Sequence, residues 1–323
     1  GSYVVRDLGI LPSTPTFTFT TSSAGVVSEP DANGVTWVVG ASENSGAAEI
    51  HHPTVWRIDS GGNVLTRIDL EPAEPTRAWA NDVRVVGSTV LVVGDVNPAA
   101  SRRTRVWTLD LTGNVLSRNT LGTLGGPEST GLSINSQGHV AGWSNQTSTS
   151  PYFGFIHRDG TMTSLGSLSN NGSGAYALND SDTVVGHYTT VGKRVTDGSQ
   201  QYAFVWQNGT MLDLRGQLGA ADRANWPRLF YAFDVNAVGQ IIGGGSVKIG
   251  KARYEQHGFL MTPAALQANT FGPGKDARSL SVNQIQLPLA EAVSRWQRAG
   301  VDVSALNGID IRITDLGGTT LGL

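Results

Sequence analysis

The chain has 323 residues, a net charge of −3, 15% charged residues, 41 glycines and no cysteine. A charge so near neutrality leaves no electrostatic footprint for nucleic acid. The lack of cysteine excludes disulfides, thiol chemistry and Cys-based zinc sites, and no run of eighteen apolar residues is present to span a membrane.

Gly1 and Ser2 look like a cloning remnant, so the lack of a leader peptide carries no weight. Tyr3–Gly9 then reads as a strand with no unit before it. From there the chain repeats. Gly40, Gly94, Gly142, Gly186 and Gly243 recur at intervals of 44 to 57 residues. Seven residues before each stands a turn residue: Asn33, Gly87, Asn135, Asn179 and Asn236. β-Branched pairs precede four of the glycines, as in Val92 and Val93 or Ile241 and Ile242. The third copy has Val140 and Ala141.

Each unit carries further matching segments. Leu132–Ile134, Tyr176–Leu178 and Ala232–Val235 precede the turn residue. His52–Trp56, Arg103–Trp107, Phe153–His157, Tyr202–Trp206 and His257–Met261 follow the glycine. Tight turns come next at Asp59–Gly62, Asp110–Gly113, Arg158–Thr161 and Gln207–Thr210, where Gly and Asn supply positive φ. A last strand follows, as in Met162–Gly166 and Met211–Leu214. Four short antiparallel strands per unit at this period predict an all-β, five-bladed β-propeller over residues 1–263. The fifth unit has no clear fourth strand after Pro263. Tyr3–Gly9 is expected to complete it and close the ring, because an open ring leaves exposed sheet edges. The competitor for that place is Ile309–Ile313, whose sequel Thr314–Gly317 mimics Arg6–Gly9.

The units resemble the HAF repeats, a family of probable extracellular bacterial repeats named for a His-Ala-Phe motif. Ser133–Gly142 matches its first part, Tyr202–Leu214 the rest, and Leu121–Gly126 looks like its linker. The resemblance covers residues 3–263. It implies a secreted or cell-surface location and a repeat fold, and it carries no catalytic residues. The motif histidine survives only as His52 and His257, which argues against a chemical role for it.

Residues 264–323 change character. A Gly/Pro/polar linker runs to Ser279, then a helix is expected over Leu287–Ala299 and a strand over Ile309–Ile313. This small α+β extension is too short for a core of its own. It either packs on the repeats or starts a larger domain cut off at Leu323. It faintly resembles a region that precedes metzincin-like domains in large bacterial surface proteins, but the chain has no His-Glu-x-x-His motif.

The turn asparagines are expected to bond their own turns, and Trp56, Trp107 and Trp206 to pack between blades. Asp31–Gly34 and Asn179–Asp182 lack the third acid and distal Glu of a calcium loop, so no metal and no cofactor is expected. Asp82 and Asp234 are the acids on the innermost strands, too few for the acid set of a propeller glycosidase. The long connections carry the aromatic and arginine residues that binding sites favour: Trp79, Trp143, His187, Tyr188, Arg223, Trp226 and Arg228, with Tyr231 just beyond. The sequence therefore points to a monomeric extracellular binding or adhesion module for a glycan or surface protein, and to binding rather than catalysis. The alternatives are a polysaccharide-acting enzyme with acids around the channel, and a structural module of a larger secreted protein containing a metalloprotease.

Overall fold

The computed structural model describes residues 5–11, 21–43, 51–72, 77–97, 101–191, 199–250 and 253–263. The linker, helix and strand expected after residue 263 lie outside the described residues. Within them the chain is all-β and propeller-like, with five antiparallel sheets formed in chain order. Sheet one holds β1 (Ser22–Val27), β2 (Thr36–Ser42), β3 (His52–Ile58) and β4 (Val64–Asp69). Sheet two holds β5 (Trp79–Val86), β6 (Thr89–Val96), β7 (Arg103–Asp110) and β8 (Val115–Thr120). Sheet three holds β9 (Ser129–Ile134), β10 (Val140–Asn145), β11 (Tyr152–Arg158) and β12 (Thr161–Gly166). Sheet four holds β13 (Ser173–Leu178), β14 (Val184–Val191), β15 (Ser199–Gln207) and β16 (Thr210–Asp213). Sheet five holds β17 (Arg228–Val235), β18 (Ile241–Lys248) and β19 (Tyr254–Met261). The long connection after β16 contains one short helix, α1 (Ala220–Asn225), that the sequence pattern did not indicate.

The first strands of successive sheets pack side by side, from β1 through β5, β9 and β13 to β17. A separate apolar core fills each junction. Val39 and Val55 meet Val83 and Trp107 between sheets one and two. Val93 meets Ile134 and Phe155 between two and three. Ala141 and Ile156 meet Leu178 and Trp206 between three and four. Val185 and Val205 meet Val235 and Leu229 between four and five. The repeated tryptophans Trp56, Trp107 and Trp206 are all buried. They are packing residues, since burial of an indole is a large apolar gain.

The recurring glycine has one physical cause. Every first strand carries an extra residue where the ladder shifts register, between Ala24 and Val26, Ala80 and Asp82, Gly131 and Ser133, Ala175 and Ala177, and Ala232 and Asp234. The repeat glycine pairs with the residue just before each bulge. A Cβ there would lie 1.8–2.0 Å from a backbone carbonyl oxygen of the facing strand: Ser23, Trp79, Thr130, Gly174 or Tyr231. No side chain fits against that backbone.

The hairpin turns follow the side-chain chemistry of Asx residues. The carboxamide oxygens of Asn135, Asn179 and Asn236 each accept from the N–H groups two and four residues on. In sheet one this role belongs to Asp31, which accepts from Asn33 and Val35. The expectation for Asn33 is thus corrected, because the first hairpin runs on further and its turn residue stands nine, not seven, residues before the repeat glycine. The turn asparagines also tie neighbouring sheets. Asn135 Nδ2 donates to the Asn179 carbonyl and Asn179 Nδ2 to the Asn236 carbonyl. Residues 5–11 are not strand. They lie against sheet one, where Arg67 Nε donates to the Leu8 carbonyl and Trp56 Nε1 to the Gly9 carbonyl.

Substituting Gly94→Ala or Gly142→Ala should cost about 3 kcal/mol or more, since the obstacle is backbone and cannot turn aside. Gly122→Ala meets nothing within 4 Å and should change stability by less than about 0.5 kcal/mol. Urea unfolding of the three variants makes the comparison, and equal losses at all three would refute the close-approach account.

Candidate functional site

The residue after each repeat glycine lies on its second strand, in the part that leads from the glycine to the long connection. In order these are Ala41, Asp95, Trp143, His187 and Gly244. Sheets three and four thus present Trp143 and His187 at equivalent places, and between them lies a cleft of about 320 Å³. Trp143 and Tyr152, cross-strand neighbours on sheet three, have ring centroids 4.2 Å apart. On sheet four Tyr176 stacks on His187 at 5.3 Å. Gly172, Ser173 and Gly174 lie between these groups, with Asn171 and Thr189 also lining the cleft. Tyr176 is the bulged residue of β13, so the register shift brings it there.

The aromatic surface continues onto sheet five. His187 meets the edge of Tyr231 at 5.5 Å, and Tyr231 stacks on Phe233 at 5.7 Å. Phe233 is the bulged residue of β17 and is exposed. Its ring lies 6.1 Å from that of Tyr176, its equivalent in sheet four. Burial holds the Tyr176 phenol protonated, with its pKa pushed up to about 12. Burial pushes the His187 imidazole below its ordinary value, so the ring is neutral at pH 7. Among the described residues no Asp, Glu, Lys or Arg lines the cleft.

Three of the eight residues nominated from the sequence come together here: Trp143, His187 and Tyr231. The others are placed elsewhere or held in packing roles. Tyr188 is buried, its hydroxyl donates to Asp213 Oδ2 and its ring stacks on Tyr202. It points to the opposite face of β14 from His187, as alternation requires. Arg223 donates to the carbonyls of Gly216 and Leu218 and so staples its own loop. Trp226 packs edge-on against Phe259 beside the core of sheets four and five. Arg228 lies over Phe230 and Tyr202 and donates to Gln200. Trp79 contacts His51 at the first junction. Tyr152, Tyr176 and Phe233 were not nominated. Their signal was positional, because Tyr176 and Phe233 both stand three residues before their turn asparagine.

The acids on the inner strands have structural partners. Asp82 is buried between sheets two and three, where its Oδ2 accepts from Ser133 Oγ and the Ile134 N–H. Burial raises its pKa, opposed by Arg84 and these hydrogen bonds. Asp234 is exposed and accepts from the Val235 N–H. Asp182 faces His139 and Arg158, and Asp31 accepts from the Trp37 indole. The acidic turns considered for metal are thus already bonded to the protein. Asp95 is a further buried acid, 3.4 Å from Arg102, with Asn81 Nδ2 donating to it. Burial pushes its pKa up to about 6 despite both partners. Arg102 in turn lies over Trp143 at 5.7 Å, joining this acid to the rim of the cleft.

No protein-family model matches the chain, and no curated protein matches it. The HAF-repeat resemblance is therefore a likeness of motifs. Among solved structures, the chain is similar to a Mycobacterium tuberculosis puromycin-hydrolyzing peptidase at 12% identity and TM-score 0.41, covering 70% of this chain and 34% of that one. It is similar to the β-propeller domain of the Trilobed protease from Pyrococcus furiosus at 11% identity and TM-score 0.33, covering 77% and 86%. A Trypanosoma rangeli sialidase in complex with sialic acid stands at 11% and 0.38, covering 72% and 43%. The chain spans about a third of the length of the peptidase. Likenesses this distant carry no function, and the architecture rests on the sheet topology itself.

The raised pKa of Asp95 has a sign. Between pH 3.8 and about 6 the folded state holds a proton that the unfolded state has released. Stability from this group therefore falls as pH rises through that window. Asp95→Asn should stabilise the fold at pH 7 by at most about 3 kcal/mol, and by nearly nothing at pH 4. Thermal melts of both proteins across this range measure it. An equal difference at both pH values would show that ionisation is not the cause.

Proposed function

We propose that this chain is a secreted or cell-surface binding module, acting as a monomer, that holds a glycan or a surface protein on its long-connection face. The observation that carries this reading is the aromatic cleft between sheets three and four, whose described lining holds no charged side chain. A concave, largely apolar site with a few convergent polar groups is the form that ligand sites take. The enzyme alternative has less support. Asp82 is committed to an inter-sheet bond, and the pocket that Asp234 shares with another acid, Asp180, also holds Arg84 and lies at the turn asparagines, apart from the aromatic cleft.

The same reading takes the fold as a five-bladed propeller closed through the N-terminal segment. Residues 5–11 repeat the bonds of a connector between blades. Arg67 reaches the Leu8 carbonyl as Arg118 reaches that of Leu70. Ser22 Oγ donates to the Gly9 carbonyl as Ser129 does to Gly122 and Ser173 to Gly166. The Leu11 N–H donates to Ser42 Oγ as that of Leu124 does to Ser144. A connector implies a blade before it. Sheet five also carries an apolar pair without a cover. Ile242 and Leu260 are 47% and 63% exposed, whereas their equivalents Val185 and Val205 are buried against the next sheet. Val27 on sheet one is 61% exposed, whereas its equivalent Val83 is buried against the sheet before it. Closure brings these two faces together.

For the site, Trp143→Ala and Tyr176→Ala should weaken ligand capture at least tenfold and leave the melting temperature nearly unchanged. Trp107→Ala should do the reverse, at about 3–5 kcal/mol of stability. Glycan-array and cell-surface binding read the first pair, and calorimetry reads the last. Binding indifferent to both cleft substitutions sinks the assignment.

For the ring, Ile242→Asp and Leu260→Asp should each destabilise by several kcal/mol, as burial of an unpaired charge does. Removal of residues 1–9 should do likewise. If all three proteins melt like the parent, the ring is not closed this way.

A further inference from the structure

We propose that the cleft takes one uncharged pyranose ring of a glycan, and that Tyr231 and Phe233 carry the next sugar along the chain. The proposal rests on the binding reading above and adds the chemistry of the ligand.

At about 320 Å³ the cleft is at the small end of ligand pockets and suits a single compact ring. It has aromatic groups on both sides, Trp143 with Tyr152 on sheet three and Tyr176 with His187 on sheet four. The negative faces of such rings attract the C–H groups that line a pyranose face. The remaining polar groups are neutral: Asn171, Thr189, the Tyr176 phenol and the His187 imidazole. Within the described lining neither a ligand carboxylate nor an ammonium meets an opposite charge to offset its lost water. The two charges that touch its aromatic groups from outside, Arg102 over Trp143 and Glu128 at the Tyr152 hydroxyl, are of opposite sign. A proline or aromatic side chain of a protein partner would leave the neutral polar groups unpaired, at a cost that sugar hydroxyls avoid.

His187 sharpens the assignment. Its Nδ1 is buried against Gly174 with no hydrogen-bond partner among the described residues. An orphaned N–H is costlier than an orphaned lone pair, so the proton belongs on Nε2. His187 then offers one N–H donor to a hydroxyl oxygen. Beyond it, the exposed ring of Phe233, stacked on Tyr231, extends the aromatic surface by one further platform.

The test uses the full chain, an array of neutral and acidic oligosaccharides, and titration with methyl pyranosides and the matching disaccharides. Neutral sugars should bind. Tyr176→Ala and His187→Gln should weaken the monosaccharide at least tenfold with unchanged melting. Phe233→Ala should leave the monosaccharide alone and remove most of the disaccharide's advantage. Binding confined to acidic glycans, or a protein ligand whose affinity responds to Trp143→Ala, overturns this inference and leaves the binding reading standing. Neutral-sugar binding that ignores Trp143, Tyr176 and His187 alike overturns both.

Discussion

One steric constraint organises this molecule: the contact of a glycine with a bulged backbone. In each sheet the first strand takes one residue too many, and the second strand answers with a residue that has no side chain. A bulge bends its strand and strengthens the local twist. Repeated five times at one level, it gives every sheet the same distortion at the same edge. Sheets distorted alike can stack alike, and the four apolar junctions of the chain are built from equivalent positions. The repeat in the sequence is therefore a repeat of backbone geometry first and of side chains second.

The bulge also decides what the sheets present. The extra residue is free of the ladder, so its identity is not dictated by packing within the sheet. It is Gly25, Asn81, Leu132, Tyr176 and Phe233 in turn. Early in the chain this place is filled by small or polar groups, and Asn81 uses its amide to reach the Gly131 carbonyl of the next sheet. In sheets four and five it is aromatic, and the two rings face each other. A nearly symmetric scaffold thus acquires one asymmetric aromatic sector. The residue after the repeat glycine varies in the same way, from Asp95 through Trp143 to His187.

Charge is kept apart from that sector. The buried acids Asp82 and Asp95 sit at the junction of sheets two and three, where hydrogen bonds and arginines partly offset their lost hydration. At the junction of sheets three and four the described lining of the cleft carries no charged side chain, and the Asp182–Arg158 pair of that junction lies at the turns. Polar ties on the opposite, short-turn side run through Asn135, Asn179 and Asn236. These brace neighbouring sheets without crossing the cleft. A rigid base with variable residues above it is the arrangement in which a binding surface can change while the fold persists.

The strand pattern, the turns and the packing tryptophans were legible in the sequence, because each follows from local chemistry. Asn-Gly and Asp-Gly turns need positive φ, and β-branched pairs before glycine need a pleated, buried place. The three strands of the last sheet that lie among the described residues were legible too, up to Met261. Three things were not. Asn33 resembled its fellows by spacing, but a longer hairpin moved the turn two residues further from the glycine and gave the role to Asp31. Tyr188 and His187 are adjacent and equally polar on paper, and only alternation in β14 sends one into the packing and the other to the cleft. Tyr176 and Phe233 read as ordinary strand aromatics until the register shifts placed them. The repeat can be read along the chain, since glycine and turn chemistry are local demands. The site cannot, since a cleft between two sheets depends on which faces those sheets turn toward each other.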